Sequence, residues 1–129
     1  MKPSENISGL QHIGLPAANY EKTVEFYSTF GFELVYETTN DGVPVGFLKL
    51  HDVIIETWQE ANPALRGGAI DHFALNVRQV EPLYELALSK GYPIKDPEGI
   101  RFLPFWENGV RFFNVIGPNG ETVEFAQML

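Results

Sequence analysis

The chain has 129 residues, 44% of them hydrophobic, with 17 acidic against 9 basic side chains and no cysteine. That is enough apolar content for one folded domain, and the formal charge of −8 argues against a nucleic-acid backbone as partner, because such binders carry a basic footprint. Disulfides and thiolate ligands are excluded, no apolar run is long enough to span a membrane, and Met1–Asn6 reads as a short frayed leader without the apolar core of a secretory signal. The expected location is the cytoplasm.

Taken in chain order, residues 7–15 alternate up to Pro16 and predict a strand. Residues 19–30 predict a helix with Tyr20, Val24 and Tyr27 on one stripe, Asn19 as N-cap and Gly31 as stop. Strands follow at 32–38, 45–50 and 53–59, separated by Asn40-Asp41-Gly42 and by His51-Asp52. Residues 60–68, with Pro63 and Gly67-Gly68, form a linker. The order then repeats. A strand is expected at 69–77, a helix at 80–90 with Pro82 in its first turn, a short strand at 92–95, a loosely patterned stretch over 96–109, and strands at 110–116 and 121–127 around the Gly117-Pro118-Asn119-Gly120 turn.

The repetition is the strongest signal in the chain. His12 stands 19 positions before Gly31, and His72 stands 19 before Gly91. Each half ends on a β-like run carrying a carboxylate, Val53-Ile54-Ile55-Glu56 and Glu121-Thr122-Val123-Glu124. Two imidazoles and two carboxylates at equivalent points of two equivalent units point to a metal site formed by His12, Glu56, His72 and Glu124. Burying a carboxylate in an apolar strand is costly unless it is paired or metal-bound. The ligand set suits Ni²⁺, Zn²⁺, Co²⁺, Fe²⁺ or Mn²⁺. His51, in a hairpin turn beside Asp52, reads as solvated, as do Glu21, Glu25, Glu81 and Glu85 on helix surfaces.

Substrate-contacting candidates come from position and chemistry. Trp58 shares a strand face with Glu56. His12 to Glu56 spans 44 positions and His72 to Glu124 spans 52, so the second half has extra residues, and these bring Phe105 and Trp106 as a candidate lid or as satellite packing. Arg101 and Arg111 are candidates for holding a carboxylate, or for simple solvation.

The duplicated βαβββ unit, with His on its first strand and Glu on its last, and the closing segment Phe113-Asn114-Val115-Ile116-Gly117-Pro118-Asn119-Gly120-Glu121-Thr122-Val123-Glu124-Phe125, resemble the vicinal oxygen chelate superfamily. The resemblance covers residues 7–128. It implies an α+β fold of two tandem βαβββ modules, at about 7–59 and 69–128, in a single domain whose cupped mixed sheet surrounds a metal-binding cavity. Four ligands of the His/Glu type resemble glyoxalase I more than relatives lacking a ligand at the position of Glu56.

By that analogy the chain is a metal-dependent lactoylglutathione lyase-like isomerase. Its substrate is a small α-oxo compound or thiol hemithioacetal converted through an enediolate, with Glu124 as base and Glu56 as its partner. A dioxygenase or small-molecule-modifying enzyme on the same scaffold would consume oxygen or use a thiol nucleophile. A non-catalytic ligand-binding module of the resistance type would need no tight metal. Exposed sheet edges suggest a homodimer.

Overall fold

The computed structural model describes residues 1–129 and divides into two compact units, Met1–Pro63 and Ala64–Leu129. After a short helix α1 (Pro3–Asn6), the first unit runs β1 (Ile13–Ala17), α2 (Tyr20–Thr29), β2 (Glu33–Asn40), β3 (Val43–Leu50) and β4 (Val53–Gln59). The second runs β5 (Phe73–Asn76), α3 (Val80–Ser89), β6 (Arg101–Leu103), β7 (Val110–Ile116) and β8 (Thr122–Met128). Each unit is therefore a βαβββ module with its own four-stranded sheet, in the orders β1-β4-β3-β2 and β5-β8-β7-β6. In each, the first strand pairs parallel to the last and the remaining pairs are antiparallel. No helix is long and apolar enough to cross a membrane.

The leader is corrected to a helical turn, in which Pro3 occupies the first position and Glu5 accepts from the Lys2 backbone N–H at 3.1 Å. The first strands are shorter than expected. His12 and His72 stand immediately before β1 and β5 rather than inside them, because parallel pairing begins only where β4 and β8 offer partners, at Ile13↔Ile55 and Phe73↔Val123. Pro16 lies within β1 instead of ending it. β1 is the end strand of its sheet, where a missing N–H costs no ladder bond. The strand expected at 92–95 reduces to a single bridge, Ile94↔Val115, and a three-residue strand, β6, forms in the stretch that showed no pattern.

The helices are set by one device used twice. Gln59, three residues after Glu56, accepts the Tyr20 N–H at 2.9 Å; Gln127, three residues after Glu124, accepts the Val80 N–H at 2.9 Å. Each glutamine thereby satisfies a donor that the first helical turn leaves open and ties the helix to the last strand of its own module. Asn19 adds an N-cap bond to Lys22 N–H at 3.1 Å. The inner face of α2 buries Tyr20, Thr23, Phe26 and Tyr27 against β2–β4. α3 packs on β7 and β8, where Tyr84 meets the edge of Phe113 and Phe113 stacks on Phe125 with centroids 5.0 Å apart.

Two glycines are demanded by close approach. At Gly120, φ is +76° and an added Cβ would run into the Leu65 carbonyl, so Leu65 and Arg66 of the linker lie against the turn before β8. At Gly46 an added Cβ would meet the Tyr20 hydroxyl and come within 2.8 Å of Leu34 Cδ1. The Tyr20 hydroxyl is not free to yield. It is 5% exposed and donates to Glu37 Oε2 at 2.6 Å, and burial first, then this bond, raises its ionisation above the ordinary tyrosine value. Gly46→Ala is therefore expected to cost about 1–3 kcal/mol, read as a lower urea midpoint at unchanged slope. Adding Tyr20→Phe should recover part of that loss, and an unchanged midpoint in Gly46→Ala would contradict the packing described.

Candidate metal centre

In the first module, Glu56 sits mid-strand on β4, opposite Phe47 of β3 and Gly14 of β1. Its neighbours Ile55 and Thr57 are fully buried toward α2, so alternation turns Glu56 and Trp58 to the other face. There they line a cavity of about 490 Å³ with Thr38, Thr39, Asn40, Val43, Val45 and Phe47. His12 Nε2 faces Glu56 Oε1 at 3.5 Å, Nδ1 lies 3.0 Å from Gln11 Oε1, and the ring meets Phe47 edge-on at 5.8 Å. Trp58 Nε1 donates to Glu60 Oε2 at 3.1 Å.

The second module repeats the arrangement. Glu124 on β8 is opposite Asn114 of β7 and Ala74 of β5. His72 Nε2 faces Glu124 Oε2 at 3.4 Å, and Nδ1 lies 2.8 Å from Asp71 Oδ2. The hydrogen bond with His72, followed by the charge of Lys95, holds the Asp71 carboxyl below its ordinary range. These groups border a cavity of about 400 Å³ whose wall includes Lys95, Asp96, Arg101, Leu103, Phe105, Phe112 and Asn114. Asp96 is a buried carboxylate that accepts from the Asn114 backbone N–H at 2.6 Å and from its amide at 3.2 Å. Arg101 reaches Glu98 at 3.2 Å and Asp96 at 3.5 Å, with its guanidinium 5.2 Å above the Phe112 ring.

The substrate candidates separate on this geometry. Trp58 lines the cavity of module one; Arg101 and Phe105 line that of module two. Trp106 stands 75% exposed in a turn with φ +63° and is not part of the lining. Arg111 is corrected. Val110, Phe112 and Asn114 face the cavity, so Arg111, between them in β7, points to the helix side and forms an ion pair with Glu81 of α3. The same pair lowers the Glu81 carboxyl below its usual range, so Glu81 is more than a solvated helix residue. His51 is an exposed hairpin residue with φ +53°, as read from the sequence. Gln11, Asp71 and Lys95 were not singled out by sequence reasoning. The signal for the first two was the repeat itself, which puts a polar side chain directly before each histidine.

The paired atoms fit a divalent cation. In both modules the Nε2-to-carboxylate spacing exceeds the ordinary hydrogen-bond length of about 2.7–3.2 Å, leaving an imidazole nitrogen and an anionic oxygen facing each other. Two atoms each about 2.1 Å from one metal lie at most about 4.2 Å apart, so each pair is close enough to share one. The structure brings His12 to Glu56 in one module and His72 to Glu124 in the other, and neither module gathers three or more such side chains at one point.

The family profile of the "Glyoxalase/Bleomycin resistance protein/Dioxygenase superfamily" matches residues 9–125. The chain belongs to that superfamily. Solved structures share its fold. SMU.1112c has 21% identity and a TM-score of 0.77, with 93% of this chain and 98% of that one covered. A glyoxalase family protein from Enterococcus faecalis has 22% identity and a TM-score of 0.76, covering 94% and 98%. The genomically encoded fosfomycin resistance protein FosX from Listeria monocytogenes, solved with Mn(II) and sulfate, has 18% identity and a TM-score of 0.76, covering 95% and 94%. No significant relative was found among curated proteins. The superfamily takes in glyoxalases, bleomycin resistance proteins and dioxygenases, so membership fixes the scaffold and not the reaction.

Proposed function

We propose that this superfamily member is a metal-dependent, glyoxalase I-like lyase or isomerase acting on a small α-oxo or hemithioacetal substrate. The observation that carries the reading is the repeated pair, His12 Nε2 against Glu56 and His72 Nε2 against Glu124, at almost the same spacing in both modules. His12, Glu56, His72 and Glu124 together would hold one divalent metal, and the presence of a carboxylate in both modules favours the four-ligand version. When bound, the metal supplies Lewis-acid polarisation of adjacent substrate oxygens and so acidifies the neighbouring C–H.

The chain's own residues do the rest. Glu124 takes the proton from the α-carbon and returns it to the adjacent carbon, with Glu56 serving the opposite face. Trp58 and Phe105 offer apolar walls, and Arg101, held over Phe112, offers a guanidinium for an anionic group of the substrate. The protein is proposed to work in the cytoplasm as a homodimer, with a thiol adduct as substrate and neither nucleic acid nor membrane as partner.

A second reading, a small-molecule-modifying enzyme of the resistance type, is supported by the likeness in fold to FosX, whose structure contains Mn(II). The test is a panel of thiols with methylglyoxal, followed for thioester formation in metal-reconstituted protein, run beside an oxygen electrode. Thioester formation without oxygen uptake is expected. Oxygen uptake, or metal-loaded protein that forms no thioester with any thiol, would overturn the isomerase reading.

A further inference from the structure

Each candidate ligand histidine is held from behind in the same way. Nδ1 of His12 lies 3.0 Å from Gln11 Oε1, and Nδ1 of His72 lies 2.8 Å from Asp71 Oδ2. The opposite nitrogen, Nε2, faces the glutamate of the same module. A neutral imidazole carries one N–H and one lone pair. The Asp71 carboxylate can only accept, so at 2.8 Å it receives the Nδ1–H, and the Nε2 lone pair is turned toward Glu124.

We infer that Asp71, and Gln11 in the same slot of module one, are positioning residues that fix ring orientation and tautomer so that Nε2 of His72 and of His12 is the nitrogen offered to a divalent metal. The inference rests on the metal-site reading above. A bond from the second ring nitrogen is the usual means of orienting a ligand histidine. The two slots are not equivalent. Asp71 imposes one tautomer, whereas the Gln11 amide can turn either its oxygen or its NH₂ to Nδ1 and so orients the ring without fixing the proton as firmly. The Asp71 side chain is 76% exposed, so water competes for it, and its worth belongs at the lower end of the 10–100-fold typical of such partners.

The experiment reads the ring directly. In metal-free, ¹⁵N-labelled protein at slightly alkaline pH, His72 should show a protonated Nδ1 and an unprotonated Nε2. Asp71→Ala should shift the proton toward Nε2 and raise the dissociation constant for Co²⁺, followed by its visible absorption, about tenfold. Asp71→Asn keeps an acceptor oxygen and should restore the ring orientation and part of the Co²⁺ affinity, while holding the proton on Nδ1 less firmly than the carboxylate does. Gln11→Ala should move the His12 signals and leave those of His72 in place. Backbone spectra of the variants check that each is folded.

A wild-type His72 protonated at Nε2, or an Asp71→Ala variant with unchanged ring signals and Co²⁺ affinity, would overturn the inference. Failure of the metal reading looks different. Wild-type protein would then take up no Co²⁺, while the ring signals would still respond to Asp71→Ala.

Discussion

Replacing Glu124 with glutamine is expected to lower turnover by about two to four orders of magnitude while leaving the protein folded and most of its metal bound. Glu124 lies in the middle of β8, fixed by register against Ala74 and Asn114, and its side chain is 19% exposed on the cavity face. Glutamine has the same shape and keeps one carbonyl oxygen toward His72 Nε2, so coordination falls only modestly. What it loses is the carboxylate proposed to accept the proton. Single-turnover kinetics and metal content, measured on the same samples, separate the two effects. Near-parental turnover in the variant would move the base to Glu56 or to a bound water.

The largest effect on stability is expected from Phe113→Ala, at about 3–5 kcal/mol. Phe113 is completely buried on the helix side of β7, stacked on Phe125 and met edge-on by Tyr84 of α3. Truncation would remove the ring that joins sheet to helix in module two and open a cavity that the flanking strands cannot close without breaking the β7–β8 ladder. Urea unfolding followed by circular dichroism measures the loss. Phe102→Ala is the control. Its side chain is 57% exposed, and its removal should change stability by less than about 1 kcal/mol. A Phe113→Ala variant as stable as the control would contradict the packing of this module.

Elements with a strong local signal were legible in the sequence. β4 and β7 match their expected spans because β-branched and aromatic runs are bounded there by turn residues, and α2 begins at the asparagine that caps it. Elements decided by tertiary pairing were not. The span 7–15 has strand character throughout, yet only residues with a partner on β4 become β1. Pro93 can donate no ladder bond, so the stretch around it pairs only at Ile94. β6 is three residues long, too short to show a period.

The site divides along the same line. The pairing of His12 with Glu56 and of His72 with Glu124 was legible because a repeat places each residue type twice, and the turn of Arg111 to the helix side follows from counting faces along β7. The roles of Gln11 and Asp71 could not be read from composition, since they depend on a side chain folding back onto its own neighbour.

Anomalous diffraction at the metal edge, from crystals grown with Ni²⁺, tests the proposed metal site most directly. The proposed function expects one anomalous peak per chain, with His12, Glu56, His72 and Glu124 as the residues that would hold it. A peak held by other side chains, or by the pair of one module with the other pair left out, would contradict it.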